Sequence, residues 1–446
     1  MLARMPLNSF LSTNIFRRFS NNVKTAGMTQ LSQNSINIMK LEAERTLDNG
    51  SLSVVLAKAN GAYLWDVDGN KFIDMVAGVS SINQGHNHPK IKQALVDQLD
   101  TGLSQCSRNF HHNQFAVVAD YLCELTGYDK VHFMSSGNEI AEAAVRFARK
   151  WGVEKKGIKP GHAQILHPRR NYWGRSIAAS AASQNPMLQD PSFGPLEHHN
   201  FPIIEFGDLE ALEQAFKTNP NIAAYFMEPI LGEAGVVIPP KGYYTAVRQL
   251  CNKYNVLWIC DEVQVGIGRT GTFWCHMSEG VKADMMISAK SLTGGMYPVS
   301  ALFANNEVMD LIKFGSHGGT FGGCPLGLSI VKKSIEVAIE ENISKNSEEK
   351  GEYLLKNLKE MADSYDFIKE VRGRGLFIAI EFDVENLPIT TFEVCLKIKE
   401  NGILCKDFQK RFIKLTPTLV INWEDCDQII HGMNRAFESI NNNSKK

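Results

Sequence analysis

Lys130-Val131-His132-Phe133-Met134-Ser135-Ser136-Gly137-Asn138-Glu139-Ile140 passes from an apolar, β-leaning run through small polar residues into a helical pattern. Ile140, Ala143, Ala144, Phe147 and Trp151 recur at helical spacing, which predicts a helix over 138–151 with one face packed on a sheet. Ser135 or Ser136 can cap its first turn. The alternation continues outward. Residues 163–166, 222–227, 256–260, 285–288 and 300–304 read as strands, and 209–216 and 243–254 as helices. Short apolar runs alternating with longer helical ones predict an α/β domain with a mainly parallel sheet. Upstream, 62–74 reads as two short strands around Asp68-Gly69, and 89–99 as an amphipathic helix. Downstream, 324–363 reads as a long helical passage. Strands over 367–382, 402–405 and 412–421 and a helix over 425–440 then suggest a smaller α+β domain. The expected division is a leader at 1–24, a segment at 25–80 joining the small domain, a large domain at 81–342 and the small domain at 343–446.

Composition narrows the function. The 446 residues are 44% hydrophobic and 21% charged, close to a globular average and far from a disordered or collagen-like chain. No apolar run is long enough for a membrane-spanning helix, so no membrane insertion is expected. Lys and Arg number 47 against 48 Asp and Glu, which leaves no basic field for nucleic acid. Small-molecule chemistry is the starting expectation. The charge is uneven: the first acid is Glu42, and before it stand Arg4, Arg17, Arg18, Lys24 and Lys40 among many Ser and Asn. That pattern reads as a mitochondrial transit peptide, with Arg17-Arg18-Phe19-Ser20 near its end, and points to the matrix. The nine cysteines form no C-x-x-C pair, which suits free thiols in a reducing compartment. His86-Asn87-His88 and His111-His112 lack a third ligand at usual spacing, so no metal is expected.

Three features carry the chemistry. At Met134–Glu139 a strand opens a helix, where free N–H groups and the helix dipole favour an anion and Gly137 allows close approach. At Val256-Leu257-Trp258-Ile259-Cys260-Asp261-Glu262 an apolar strand ends in two carboxylates, and in open α/β sheets ligands gather at such ends. At Met285-Met286-Ile287-Ser288-Ala289-Lys290 an apolar run ends in a lysine whose pKa desolvation would lower, as imine chemistry needs. Gly266-Ile267-Gly268-Arg269-Thr270-Gly271 formally matches a nicotinamide fingerprint, but Thr272-Phe273-Trp274 after it is β-leaning rather than helical. An anion-binding helix start, a strand-end Asp and a strand-end Lys are what pyridoxal 5'-phosphate requires.

From about residue 60 to 440 the chain resembles the class III (subgroup II) aminotransferases, most of all their ornithine-using members. The resemblance rests on Asn83-Gln84-Gly85-His86, Tyr172-Trp173-Gly174-Arg175, Glu228-Pro229-Ile230-Leu231-Gly232-Glu233-Ala234-Gly235, Asp261-Glu262-Val263-Gln264, Gly268-Arg269-Thr270-Gly271 and His317-Gly318-Gly319-Thr320-Phe321-Gly322-Gly323, in the family's order and spacing. It implies the type I pyridoxal-phosphate fold and a homodimer or higher homo-oligomer. It also implies transfer of an amino group, with the δ-amino group of ornithine expected, to 2-oxoglutarate. Catalysis would fall to Lys290 as covalent anchor and proton carrier and to Asp261 on the pyridine nitrogen. Gln264 would bond the phenolic oxygen, Tyr172 stack on the ring, Gly137 and Asn138 bind phosphate, and Thr320 reach a partner's phosphate. Arg175 would hold a substrate carboxylate, and Glu233 would gate the site.

The departures fall on the substrate side. Lys414 stands where the family pairs an arginine with the gating glutamate, keeping the charge without the planar fork. Val79 and Asn49 replace pocket tyrosines, Leu231 a glutamine, Gly319 a serine and Cys324 an asparagine. Two readings follow: an active aminotransferase of ornithine or another ω-amino donor, or a weakly active structural subunit of a mitochondrial assembly.

Overall fold

A computed structural model of the chain describes residues 31–47, 50–106 and 108–444. The leader expected at 1–24 and the departure at Asn49 lie outside the described residues. The chain divides into two compact units, Met1–Val55 and Leu56–Lys446. In the first, a helix spans Gln33–Arg45, and the Ser32 side chain caps it by accepting from Ser35 N. Everything below concerns the second.

Strands β1 (Leu56–Asn60), β2 (Tyr63–Asp66) and β3 (Lys71–Asp74) form an antiparallel meander. Asp66 shapes the β2–β3 turn by accepting from Asp68 N and Asn70 N, while Gly69 takes a φ of +87°. Strands β4 (Lys130–Met134), β5 (Gln164–Pro168), β6 (Ile203–Ile204), β7 (Ile222–Met227), β8 (Leu257–Asp261), β9 (Met285–Ser288) and β10 (Ser300–Ala304) build the central sheet. Its order is β4-β10-β9-β8-β7-β5-β6. All neighbours are parallel except at β10, which runs antiparallel to both β4 and β9.

The residues of β8 show why this sheet is covered on both faces. Leu257 and Ile259 lie in one core with Ile140, Ala144 and Phe147 of the Gly137–Glu154 helix. Trp258 and Cys260, pointing the other way, lie in a second core with Tyr244, Val247 and Cys251 of the Tyr243–Tyr254 helix. Burial on both faces is why these strands read as unbroken apolar runs. Each fully buried large side chain contributes roughly 1.5–3 kcal/mol of hydrophobic stabilisation.

The remaining strands are β11 (Ile368–Arg374), β12 (Phe377–Phe382), β13 (Ile403–Leu404), β14 (Lys406–Phe408) and β15 (Phe412–Leu415). Four of them form an antiparallel sheet in the order β11-β12-β15-β14. The fifth, β13, instead pairs in parallel with β3 and completes the first meander. The expected long passage at 324–363 is two helices, Pro325–Glu340 and Ile343–Ala362. They separate at Asn342, whose φ of +51° is a conformation asparagine tolerates better than most residues. The strand expected at 412–421 stops at Leu415. Thr416 N turns back to bond Met75 O, and Pro417 has no N–H for a ladder. The fully buried Arg269 ties these parts together, donating to Leu376 O at 2.9 Å, Pro417 O at 2.5 Å and Asn83 Oδ1 at 2.6 Å. Among the described residues no helix is long and apolar enough to cross a membrane.

Candidate active site

The carboxyl ends of β4, β5, β7, β8 and β9 lie along one edge of the central sheet, with the amino end of the antiparallel β10. A cavity of about 490 Å³ opens there. Its walls come from the segments leaving those strands: Ser135–Asn138 after β4, Tyr172–Gly174 after β5, Glu228 after β7, Asp261 and Gln264 at the end of β8, and Lys290 after β9. This is where a parallel sheet gathers ligands.

At the helix start, Ser136 Oγ accepts from Glu139 N at 3.2 Å, and Glu139 Oε2 accepts from Ser136 N at 2.8 Å and Ser135 N at 3.1 Å. This reciprocal cap leaves the N–H groups of Gly137 and Asn138 on the cavity wall without an acceptor among the described residues. The Asn138 side chain is committed elsewhere. Its Oδ1 accepts from Arg175 N at 3.0 Å and Ser176 N at 3.3 Å, and a Cβ on Gly174 would meet that oxygen at 1.6 Å. Asn138 therefore offers its backbone to an anion while its amide fixes the loop that follows Tyr172.

Strand alternation sorts the two carboxylates that end β8. Asp261 shares the face of Leu257 and Ile259 and lines the cavity, with Oδ1 accepting from Val263 N at 2.9 Å. Glu262 points to the opposite face, where its Oε1 accepts from His276 N at 2.8 Å and lies 2.6 Å from His276 Nδ1. One strand over, Glu228 accepts from Tyr172 N at 3.3 Å and Gly232 N at 3.0 Å. Burial, reinforced by the charge of Asp261, pushes Glu228 up to about 8, and burial raises Asp261 to about 7. No role was expected for Glu228. Its position just past β7, in the same edge row as Asp261, is the signal that could have found it.

Lys290 lines the cavity and makes no hydrogen bond or ion pair with the described residues. Burial pushes its ammonium below the ordinary lysine range, opposed by the charge of Glu233. Its φ of +47° is a left-handed conformation in which a non-glycine residue stores strain. Glu233 Oε1 lies 2.5 Å from Lys414 Nζ and 3.5 Å from Gln264 Nε2. Burial alone would raise Glu233, but Lys414 outweighs it and the carboxylate is held below its usual range. A Cβ on Gly232 would stand 1.8 Å from Gln264 Oε1, so a side chain there would displace that amide.

The other expected residues sit outside these walls. Arg175 is exposed, and Thr320 is exposed with its carbonyl accepting from Gln105 Nε2 at 2.6 Å. Val79 is half-buried in a turn in which Ala77, Gly78, Val79 and Ser80 all have positive φ. Asp74 holds that turn, with Oδ1 accepting from Val76 N and Ala77 N at 2.8 Å each. Leu231 is buried, and Cys324 caps the Pro325–Glu340 helix by accepting from Gly327 N. The Gly266–Gly271 run opens no helix, which removes the nicotinamide reading.

An unpaired cavity lysine, a strand-end carboxylate and two free N–H groups fit pyridoxal phosphate: an amine for its aldehyde, an acid for its ring nitrogen and a cradle for its phosphate. These features define a pyridoxal-phosphate site on a type I fold. A family model described as Aminotransferase class-III matches residues 46–437, and the chain belongs to that family. It is 44% identical to the mitochondrial ornithine aminotransferase of Arabidopsis thaliana, over 87% of this chain and 82% of that protein. It is 40% identical to the ornithine aminotransferase of Plasmodium falciparum, over 84% and 90%. The crystal structure of the ornithine aminotransferase from Toxoplasma gondii superposes with a TM-score of 0.89 at 35% identity, covering 97% of this chain and 100% of that one. The chain is thus a pyridoxal-phosphate-dependent transaminase.

Proposed function

We propose that the protein transfers the δ-amino group of ornithine to 2-oxoglutarate, giving glutamate semialdehyde and glutamate. The observation that carries this reading is the convergence of Lys290, Asp261 and the Gly137–Asn138 N–H groups on one cavity, in a chain so similar to proteins named ornithine aminotransferases. Bound pyridoxal phosphate supplies the electron sink for the charge left when the donor's amino-bearing carbon loses its proton. Lys290 Nζ would accept that proton and later release it; its lowered pKa suits it to do both. Asp261 would keep the ring nitrogen protonated, Gln264 would bond the phenolic oxygen and Tyr172 would cover a ring face. Gly137 and Asn138 would hold the phosphate.

Thr320 is assigned to the phosphate of a second copy and Arg175 to a substrate carboxylate, with the homodimer as the working assembly. Their exposure and their position off the cavity wall support roles at a shared boundary. Glu233 and Lys414 gate the site. Residues 81–342 form the large domain. Residues 343–446, with part of 25–80, form the small one, a division supported by the pairing of β13 with β3. The acid-free start supports a transit peptide at 1–24 and a matrix location, as does the mitochondrial name of the Arabidopsis relative.

The test is a panel of ω-amino donors against 2-oxoglutarate with protein lacking residues 1–24. Ornithine should give the highest kcat/KM. A larger value for another donor would replace the substrate assignment, and no turnover with any donor would restore the reading of a structural subunit.

A further inference from the structure

A second cavity, of about 240 Å³, lies between β3, the turn at Asn401 and Gly402, and the C-terminal Trp423–Ser444 helix. Gln428, His431 and Arg435, spaced to share one helical face, line one wall, and Lys71 and Asn401 line the other. Arg435 Nε donates to Asn401 Oδ1 at 2.9 Å, which orients the guanidinium and leaves its terminal nitrogens without an acceptor among the described residues. Lys71 Nζ rests 3.4 Å from the centre of the Tyr63 ring and has no carboxylate partner among the described residues. That ring is itself fixed, because Tyr63 OH donates to the buried Asp425 Oδ1 at 2.5 Å.

No Asp or Glu lines this cavity. Asp425 is occupied by Tyr63 OH and by Asn422 N, and Glu424 accepts from Gln428 Nε2 at 3.3 Å. Some other cations do find a carboxylate: Lys90 pairs with Glu340 and Lys253 with Glu213. Here two full positive charges are held by an amide and a ring face, on a concave wall, with their donors open.

We propose that this cavity binds a small dianion, the chemistry shared by a phosphate group and a short dicarboxylate. Arg435 offers a planar pair of donors to one oxyanion, Lys71 a point charge to the other side, and His431 a further polar contact. The volume is below the about 300–1,000 Å³ of drug-sized sites and suits a small anion.

The test uses the cofactor-saturated enzyme, so that the catalytic phosphate cradle is filled. Inorganic phosphate and succinate are titrated in separate calorimetric runs at constant chloride, against the wild type and the Lys71→Met, Arg435→Met and Gln428→Glu variants. At least one anion should bind, and its affinity should fall about tenfold or more in every variant as a charge-assisted contact is lost or an acid inserted. The kcat at saturating substrates should not change. The anion that responds identifies the source. If the Lys71 variant disturbs Tyr63, the two helix-face variants decide alone. Binding no stronger than that of chloride, or binding insensitive to Arg435→Met and Gln428→Glu, would overturn the proposal.

Discussion

Lys414 Nζ lies 2.5 Å from Glu233 Oε1 and 4.1 Å from the centre of the Phe408 ring, so a fully buried lysine is neutralised by one carboxylate and one aromatic face. As a point charge it cannot clamp a carboxylate with two parallel hydrogen bonds. Lys414→Arg should therefore lower the KM for 2-oxoglutarate more than the KM for the ω-amino donor, with kcat little changed, because the added contact binds ground and transition states alike. Steady-state kinetics of both half-reactions check this. An unchanged or raised oxo-acid KM in a folded variant would remove Lys414 from the carboxylate site.

Lys290→Ala should abolish turnover and any borohydride-reducible bond between protein and cofactor, while the fold persists. Lys290 makes no structural hydrogen bond or ion pair with the described residues, and it sits in a strained backbone conformation that alanine relieves little. Mass spectrometry after reduction reads the outcome. A cofactor adduct surviving in the variant would assign the anchor to another lysine.

Asp261→Asn should retain cofactor, since Val263 N can still bond the amide oxygen, yet lose about 10²–10³ in kcat. The ring nitrogen would lack the charge that keeps it protonated. Rates near wild type would reduce Asp261 to a cap.

The contribution of Asp261 and Glu228 to the stability of the cofactor-free protein should fall as pH rises from about 4 to about 8. The sign follows from the raised folded values of Asp261, about 7, and Glu228, about 8. Between the unfolded carboxylate pKa, about 4, and these values the folded state binds the extra protons, so raising pH favours unfolding by at most about 1.4 kcal/mol per pH unit for each group. Glu228→Gln should flatten this slope in denaturant titrations across that range. An unaltered slope would mean that Glu228 is ionised throughout.

Ser136→Ala removes one side of the reciprocal cap and should cost about 1 kcal/mol of stability. It leaves the N–H groups of Gly137 and Asn138 in place, so cofactor affinity should weaken without being abolished. Equilibrium dialysis of the cofactor would detect a total loss, which would place the Ser136 hydroxyl itself on the phosphate.

Long apolar runs were the legible part of the fold. Residues 222–227, 285–288 and 300–304 were predicted as strands with the ends the structure gives them, because burial on both faces leaves short apolar runs with no charged residue and at most a serine at one end. The Asn113–Thr126 helix was not predicted. β13 falls inside the strand expected at 402–405, but its parallel pairing with β3 could not be read from its own pattern. In the site, Asp261 and Lys290 were legible because each ends an apolar strand. Glu228 was not given a role, since its importance comes from lying beside Asp261 across the sheet. The commitment of the Asn138 side chain to Arg175 and Ser176 is likewise a matter of loop packing, invisible in local sequence.

The parallel pairing of β3 with β13 has a consequence for how the molecule is made. The partners are separated by more than three hundred residues, including the whole central sheet. While the chain leaves the ribosome, or threads into another compartment, the β1–β3 meander is present early with one edge unpaired. That edge must wait for nearly the last segment of the chain. Chain-end truncations that spare every catalytic residue should therefore yield a product open at its other end, prone to pairing with its neighbours.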